Sequence, residues 1–140
     1  MRIWITTIAL LLIAPPATAS MFYLAPEFVR AEGDGSFSFE VTLVAGEGCV
    51  GWTGYGYGGA ENVEGGMWAD TFCIDPQPIE PGTEFKFEVI GKLIDPTQVG
   101  RAWSSSAFCV GGGGEAETVV LAPVVDNEDQ SWSALKARYD

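Results

Sequence analysis

Histidine is missing altogether from the 140 residues, and Lys and Arg together number 7 against 19 Asp and Glu, a net charge of −12. Without an imidazole, Ser-His-Asp and Cys-His nucleophile arrangements are excluded. The shortage of cations removes the electrostatic footprint that nucleic acid or an anionic membrane surface requires, and the acidic excess reads first as solubility. Cysteine is sparse too, limited to Cys49, Cys73 and Cys109. With no C-x-x-C pair and no histidine beside them, these thiols do not make a zinc site, and no metal or other cofactor is implied. Beyond the first twenty residues there is no long apolar run, so no membrane span is expected in the rest of the chain.

What is present at the start is an apolar run over residues 3–14 behind the single cation Arg2. Twelve residues of helix reach about 18 Å, short of the bilayer's roughly 30 Å hydrocarbon core. Pro15 and Pro16 break the run, and Ala17 and Ala19 place small residues at −3 and −1 of a signal-peptidase site. Residues 1–19 therefore read as a cleavable secretory signal peptide, with a mature chain from Ser20 that is secreted, periplasmic or extracellular. Its 121 residues make one domain. Losing Arg2 leaves six cations against nineteen carboxylates, or −13.

The body reads as all-β. Phe37, Phe39, Val41 and Leu43 alternate with Ser36, Ser38, Glu40 and Thr42, and Phe85, Phe87, Val89 and Leu93 are set against Lys86, Glu88 and Lys92. Such alternation marks half-buried strands, predicted over residues 36–44 and 84–93. Shorter strands are predicted over 69–74, 101–110 and 117–125, where β-branched and aromatic residues concentrate. Pro and Gly clusters at 75–78, 81–82, 95–96 and 111–114 supply the turns. Strands without intervening helical patterns imply antiparallel sheets stacked on one face, and a small immunoglobulin-like β-sandwich over residues 20–125 is the most economical arrangement, with a jelly roll or small barrel still open.

The passage Pro81-Gly82-Thr83-Glu84-Phe85-Lys86-Phe87-Glu88-Val89 resembles the turn and following strand of many bacterial surface immunoglobulin-like repeats. That resemblance covers about a dozen residues, bears on the fold, and brings no catalytic or binding residue with it.

Three cysteines in an oxidising compartment leave one over. Trp68 to Cys73 is echoed by Trp103 to Cys109, each ending in Phe-Cys. Two similar strands lying side by side would favour a Cys73–Cys109 disulfide, with Cys49 free or joined to a second chain. Cys49–Cys73 is the alternative, since it would staple the glycine-rich stretch between them.

That stretch carries the candidate site. Residues 51–59 interleave Trp52, Tyr55 and Tyr57 with glycine, and Trp68 follows. Sugar rings stack their C–H faces on such side chains, so Trp52, Tyr55, Tyr57 and Trp68 form a candidate carbohydrate platform, with Asp70 or Asn62 supplying hydrogen bonds. The same composition also suits a central strand whose glycines admit a close neighbour. Carboxylates for glycoside hydrolysis exist at Asp70, Asp75, Glu84, Glu88 and Asp95, but a 121-residue domain offers little material for a cleft. Glu32 with Asp34, and the run 126–129, are oxygen-rich enough for calcium without matching the twelve-residue calcium loop.

After residue 125 the acidic run 126–129 leads into residues 131–139, where Trp132, Leu135 and Tyr139 recur at helical spacing. Residues 126–140 read as an acidic linker and a short amphipathic helix. Nine residues are too few to hold together alone, so this helix is expected to dock, and a partner-docking handle is the favoured reading. The tail resembles short Trp-containing tails that close some exported bacterial proteins. The chain as a whole reads as an exported, non-catalytic structural or interaction module that meets a cell-surface or extracellular protein or glycan. A small carbohydrate-binding domain using residues 51–68 is the alternative.

Overall fold

The computed structural model describes residues 21–70 and 73–124. The stretch read as a signal peptide, the acidic run 126–129 and the tail residues Trp132, Leu135 and Tyr139 lie outside them.

Nine strands are present, with no helix among the described residues: β1 (Phe22–Leu24), β2 (Phe28–Arg30), β3 (Ser36–Val44), β4 (Val50–Glu61), β5 (Val63–Glu64), β6 (Gly66–Asp70), β7 (Glu84–Leu93), β8 (Gly100–Val110) and β9 (Gly113–Leu121). They form a four-stranded sheet, β1-β3-β7-β5, packed on a five-stranded sheet, β2-β9-β8-β4-β6.

The alternating strands β3 and β7 pair antiparallel with Val41 opposite Phe87 and Phe39 opposite Val89. Their apolar faces line the interior, where Val41, Leu43 and Val89 are almost wholly shielded from water. One core cluster gathers Phe37, Phe39, Val41, Tyr57, Phe87, Val89, Leu93, Ala102 and Val120; a second gathers Leu43, Ala45, Cys49 and Phe108. Removing this much apolar surface from water is the main force joining the sheets.

Among the described residues every strand pairing is antiparallel except β2 with β9, which run parallel. A purely antiparallel sandwich is thus corrected at one edge. The chain leaves the first sheet after β1, passes Pro26, and joins the second beside β9. The Thr118 hydroxyl donates to the Pro26 carbonyl at 2.8 Å, and the Val119 N–H to the Glu27 carbonyl at 2.9 Å. Among the described residues this early edge strand has β9 alone as its neighbour, so the first and last parts of the described chain pair with each other.

Strand boundaries differ from the sequence reading. The strand predicted over 69–74 is β6, Gly66–Asp70, which begins three residues earlier, and Cys73 and Ile74 lie outside strand. The strand predicted over 117–125 is β9, beginning four residues earlier at Gly113 and ending at Leu121. Of the four glycines assigned to that turn, only Gly111 and Gly112 make it, at φ 114° and 91°; Gly113 and Gly114 already pair with Ala107 and Ser106. The strands β1, β2 and β5, two or three residues each, are too short to show alternation.

Candidate functional site

Residues 51–59 are strand, and strand β4 lies inside its sheet between β8 and the edge strand β6. Trp52 and Tyr55 are three residues apart, a spacing that puts side chains on opposite faces of a regular strand. The register of β4 against β8 shifts between Trp52 and Gly54, leaving Thr53 as the extra residue of a bulge. The Thr53 hydroxyl donates to the Ala107 carbonyl at 3.0 Å and holds the kink. Across it, Trp52 opposite Phe108 and Tyr55 opposite Ser106 both face inward.

The result is an interior aromatic column. Trp52, Tyr55 and Tyr57 follow one another at centroid separations of 5.8 and 6.5 Å. From the facing sheet Phe85 lies 5.2 Å from Trp52, and Phe87 stacks on Tyr55 at 4.5 Å. Trp52 Nε1 donates to the Ser106 hydroxyl at 2.8 Å, which in turn donates to the Gly54 carbonyl at 2.8 Å. Tyr57 is only 8% exposed. The four-residue platform is therefore corrected: Trp52, Tyr55 and Tyr57 belong to the interior, and of the four only Trp68, 66% exposed, stands on the surface. Asn62 is likewise engaged. Its side chain accepts from the Asp95 N–H at 2.8 Å and donates toward the carbonyls of Asp95 and Gln98, tying down the loop before β8.

Trp68 has a different companion. On the outward side of the five-stranded sheet, β4 presents Gly54, Gly56 and Gly58, opposite Asp70, Trp68 and Gly66 of β6 and opposite Ala107, Ser105 and Trp103 of β8. Beyond β8, Glu117 and Glu115 of β9 stand opposite Trp103 and Ser105. The indole of Trp68 covers Gly56, where a β-carbon would lie 2.1 Å from its ring; that of Trp103 borders Gly58, where a β-carbon would lie 3.1 Å from its Nε1. Both rings thus lean toward one bare strand, over glycines about 6.6 Å apart along it. Shallow depressions of about 340 and 300 Å³ lie on the β8–β9 part of this face, the first lined by Trp103, Glu115 and Glu117, the second by Ser105, Ala107, Gly113 and Glu115. Sequence reasoning used Trp103 only in the cysteine echo. Its place near the start of β8, just ahead of a serine run, gave no sign that it shares a face with Trp68 on the far side of β4.

Charge on this face is mostly negative. Arg101 Nη1 reaches Glu117 at 3.0 Å and its Nε lies 3.7 Å from Glu61. Among the described residues Asp70 and Glu115 make no ion pair. Behind Glu115, Tyr23 fills the interior and donates to the Ser104 hydroxyl at 2.7 Å. Burial pushes the Tyr23 phenol up from its ordinary value; the Ser104 hydrogen bond opposes this, and the Glu115 charge adds to it.

Cys73 and Cys109 are joined in a disulfide with Cα atoms 5.8 Å apart. The side-by-side arrangement that favoured this pairing is not the cause, because β4 runs between β6 and β8. After β6 the chain returns along the end of β4, where the Gly51 N–H donates to the Gln77 carbonyl at 2.9 Å. A β-carbon at Gly51, which has φ 58°, would lie 2.9 Å from the Cys109 sulfur and 2.6 Å from Pro76. Glycine there lets the bridge pass. Cys49 is free and 1% exposed, which closes off pairing with a second chain while the fold is intact.

No three His, Cys, Asp or Glu residues gather as metal ligands among the described residues. Asp34, a candidate for calcium, accepts from the Ser36 N–H at 3.0 Å and from its hydroxyl, which holds its carboxyl below the usual range. Asp95 caps Thr97 in the same manner, with the same lowering. No helix among the described residues is long and apolar enough to cross a membrane. No protein-family model, curated protein or solved structure matches the chain.

Proposed function

We propose that the chain is an exported, non-catalytic β-sandwich of immunoglobulin type, serving as an interaction module at the cell envelope or outside the cell through the outer face of its five-stranded sheet. The observation that carries this reading is the pair Trp68 and Trp103 on that face, over the glycines of β4. Large aromatic side chains held at a water-facing surface mark contact sites more often than polar ones do. The outward side of the other sheet is built differently, with Ser38, Glu40, Thr42, Lys86 and Glu88 beside the exposed Phe22, Leu24 and Ile90, and it carries no tryptophan among the described residues.

The strand order supports the immunoglobulin reading. β1-β3-β7-β5 follows the order A-B-E-D, and β9-β8-β4 the order G-F-C, with Trp52 on the strand that carries the interior tryptophan of that fold. The disulfide departs from it, linking β8 to the segment after β6 instead of joining the two sheets. Export is supported by the leader composition of residues 1–19 and by the disulfide. The non-catalytic reading rests on the missing histidine and on Asp34 and Asp95 being spent on capping their own loops.

The test is retention at the cell surface of a W68A/W103A double variant against the parent, with melting temperature as the control. The expected outcome is a folded variant released into the medium. Equal retention of the two would sink the assignment of this face.

A further inference from the structure

We propose that the outer face of the five-stranded sheet binds a linear glycan carrying free amino groups, of the glucosamine type, with sugar rings against Trp68 and Trp103 and ammonium groups paired to Asp70 and Glu115. This rests on the reading of that face as the contact surface and names its ligand.

The register places four small residues, Gly54, Gly56, Ser105 and Ala107, in a block two strands wide, β4 and β8, in which the Trp68 indole lies on Gly56 and the open surface is that of Ser105 and Ala107. Around it stand Trp68 and Asp70 on β6, Trp103 on β8 and Glu115 on β9. Neighbouring strands are about 4.8 Å apart, so Trp68 and Glu115, in one row three strands apart, are separated by about 14 Å. The block is therefore a shallow trough with Trp68 and Asp70 along its β6 flank, Glu115 on its β9 flank and Trp103 at one end. Its floor is shallow, with one open depression at Ser105, Ala107 and Glu115, so it suits a ligand that lies along the sheet and makes contact by ring faces.

A pyranose with equatorial substituents offers such a face. Its C–H bonds carry partial positive charge and meet the negative face of an indole, while an ammonium group is attracted both to the indole and to a carboxylate. Charge decides between sugar classes. Asp70 and Glu115 make no ion pair among the described residues, Glu117 is engaged by Arg101, and the whole chain carries −12. Uronate or sulfate polymers would be repelled, whereas an amino polymer supplies the missing cations. A lysine-rich peptide offers the same charge but no flat ring, and an extended peptide gains its hydrogen bonds at a sheet edge, whereas this trough lies over paired strands.

The test uses the whole protein in affinity electrophoresis and calorimetry against a glucosamine polymer, its fully N-acetylated form, a neutral β-glucan, polygalacturonate and oligolysine. The expected result is binding of the glucosamine polymer that weakens with salt, with none for polygalacturonate. Trp68→Ala and Trp103→Ala should each weaken it about tenfold or more. Asp70→Asn and Glu115→Gln, which keep size and shape, should lower affinity for the amino polymer and flatten its salt dependence. Equal, salt-insensitive binding of the N-acetylated or neutral polymer would overturn the role of the amino group, and oligolysine binding that needs both tryptophans would overturn the glycan. If no glycan binds while W68A/W103A still loses surface retention, the ligand class is wrong and the contact face stands. If retention is unchanged as well, both fall.

Discussion

At the residue scale, glycine and tryptophan in β4 and its neighbours are coupled by space. A β-carbon at position 56 would lie 2.1 Å from the Trp68 ring. Gly56→Ala should push that indole off the sheet and destabilise the fold by about 1 to 3 kcal/mol, the usual penalty of overpacking. Denaturant unfolding measures the loss, and an unchanged midpoint would mean that the ring moves aside freely. Cys49 belongs to a core cluster at 1% exposure, so it should resist alkylation in the folded protein and react on unfolding, as mass spectrometry of labelled peptides would show.

Asp34 and Asp95 add a pH dependence whose sign follows from their hydrogen bonds. Both carboxyls are lowered in the folded state, chiefly by the hydroxyls of Ser36 and Thr97. Each therefore contributes stability that is present above the unfolded-state value of about 3.9 and lost as pH falls through the lower folded value. A D34N/D95N variant should melt below the parent at pH 6, with the gap closing as pH drops below about 4. A gap constant from pH 6 to pH 2 would contradict this.

At the scale of the element, the bulge at Thr53 decides what the aromatic strand does. With it, Trp52 and Tyr55 share the interior face; without it, strict alternation would turn one of them outward. Deleting Thr53 should expose Trp52, shifting its fluorescence to the red, and abolish the Trp52 hydrogen bond to Ser106. An unshifted spectrum with native stability would show that the bulge is dispensable. The disulfide acts on a longer element. It closes a loop with a sequence separation of 36, and its removal by C73S/C109S should lower stability by roughly 3 to 4 kcal/mol in the chain-entropy model. Paired unfolding curves of parent and variant test this directly.

At the scale of the whole molecule, the two sheets differ in what they offer water. The four-stranded sheet turns charged and hydroxyl-bearing residues outward beside the exposed Phe22, Leu24 and Ile90, with Lys86 pairing Glu40 at 3.0 Å at an exposed site where water screens the pair and it contributes little. The five-stranded sheet turns out glycine, indole and carboxylate. The mature chain released from cells is expected to begin at Ser20, which N-terminal sequencing decides; a start at Met1 would remove the export reading.

The sequence by itself determined the strand class, the two faces of β3 and β7, and the exclusion of imidazole chemistry. Alternation is a local property with a period of two, so nine or ten consecutive residues suffice to display it. It could not determine which strands are neighbours. β4 lies between β6 and β8, so the echo of Trp68 and Trp103 marks two flanks of one glycine strand instead of an adjacent pair. Nor could it show that one inserted residue turns Trp52 inward, because a bulge exists only relative to a partner strand. The interior column and the surface pair use the same residue types, and only long-range pairing assigns each aromatic ring to one or the other.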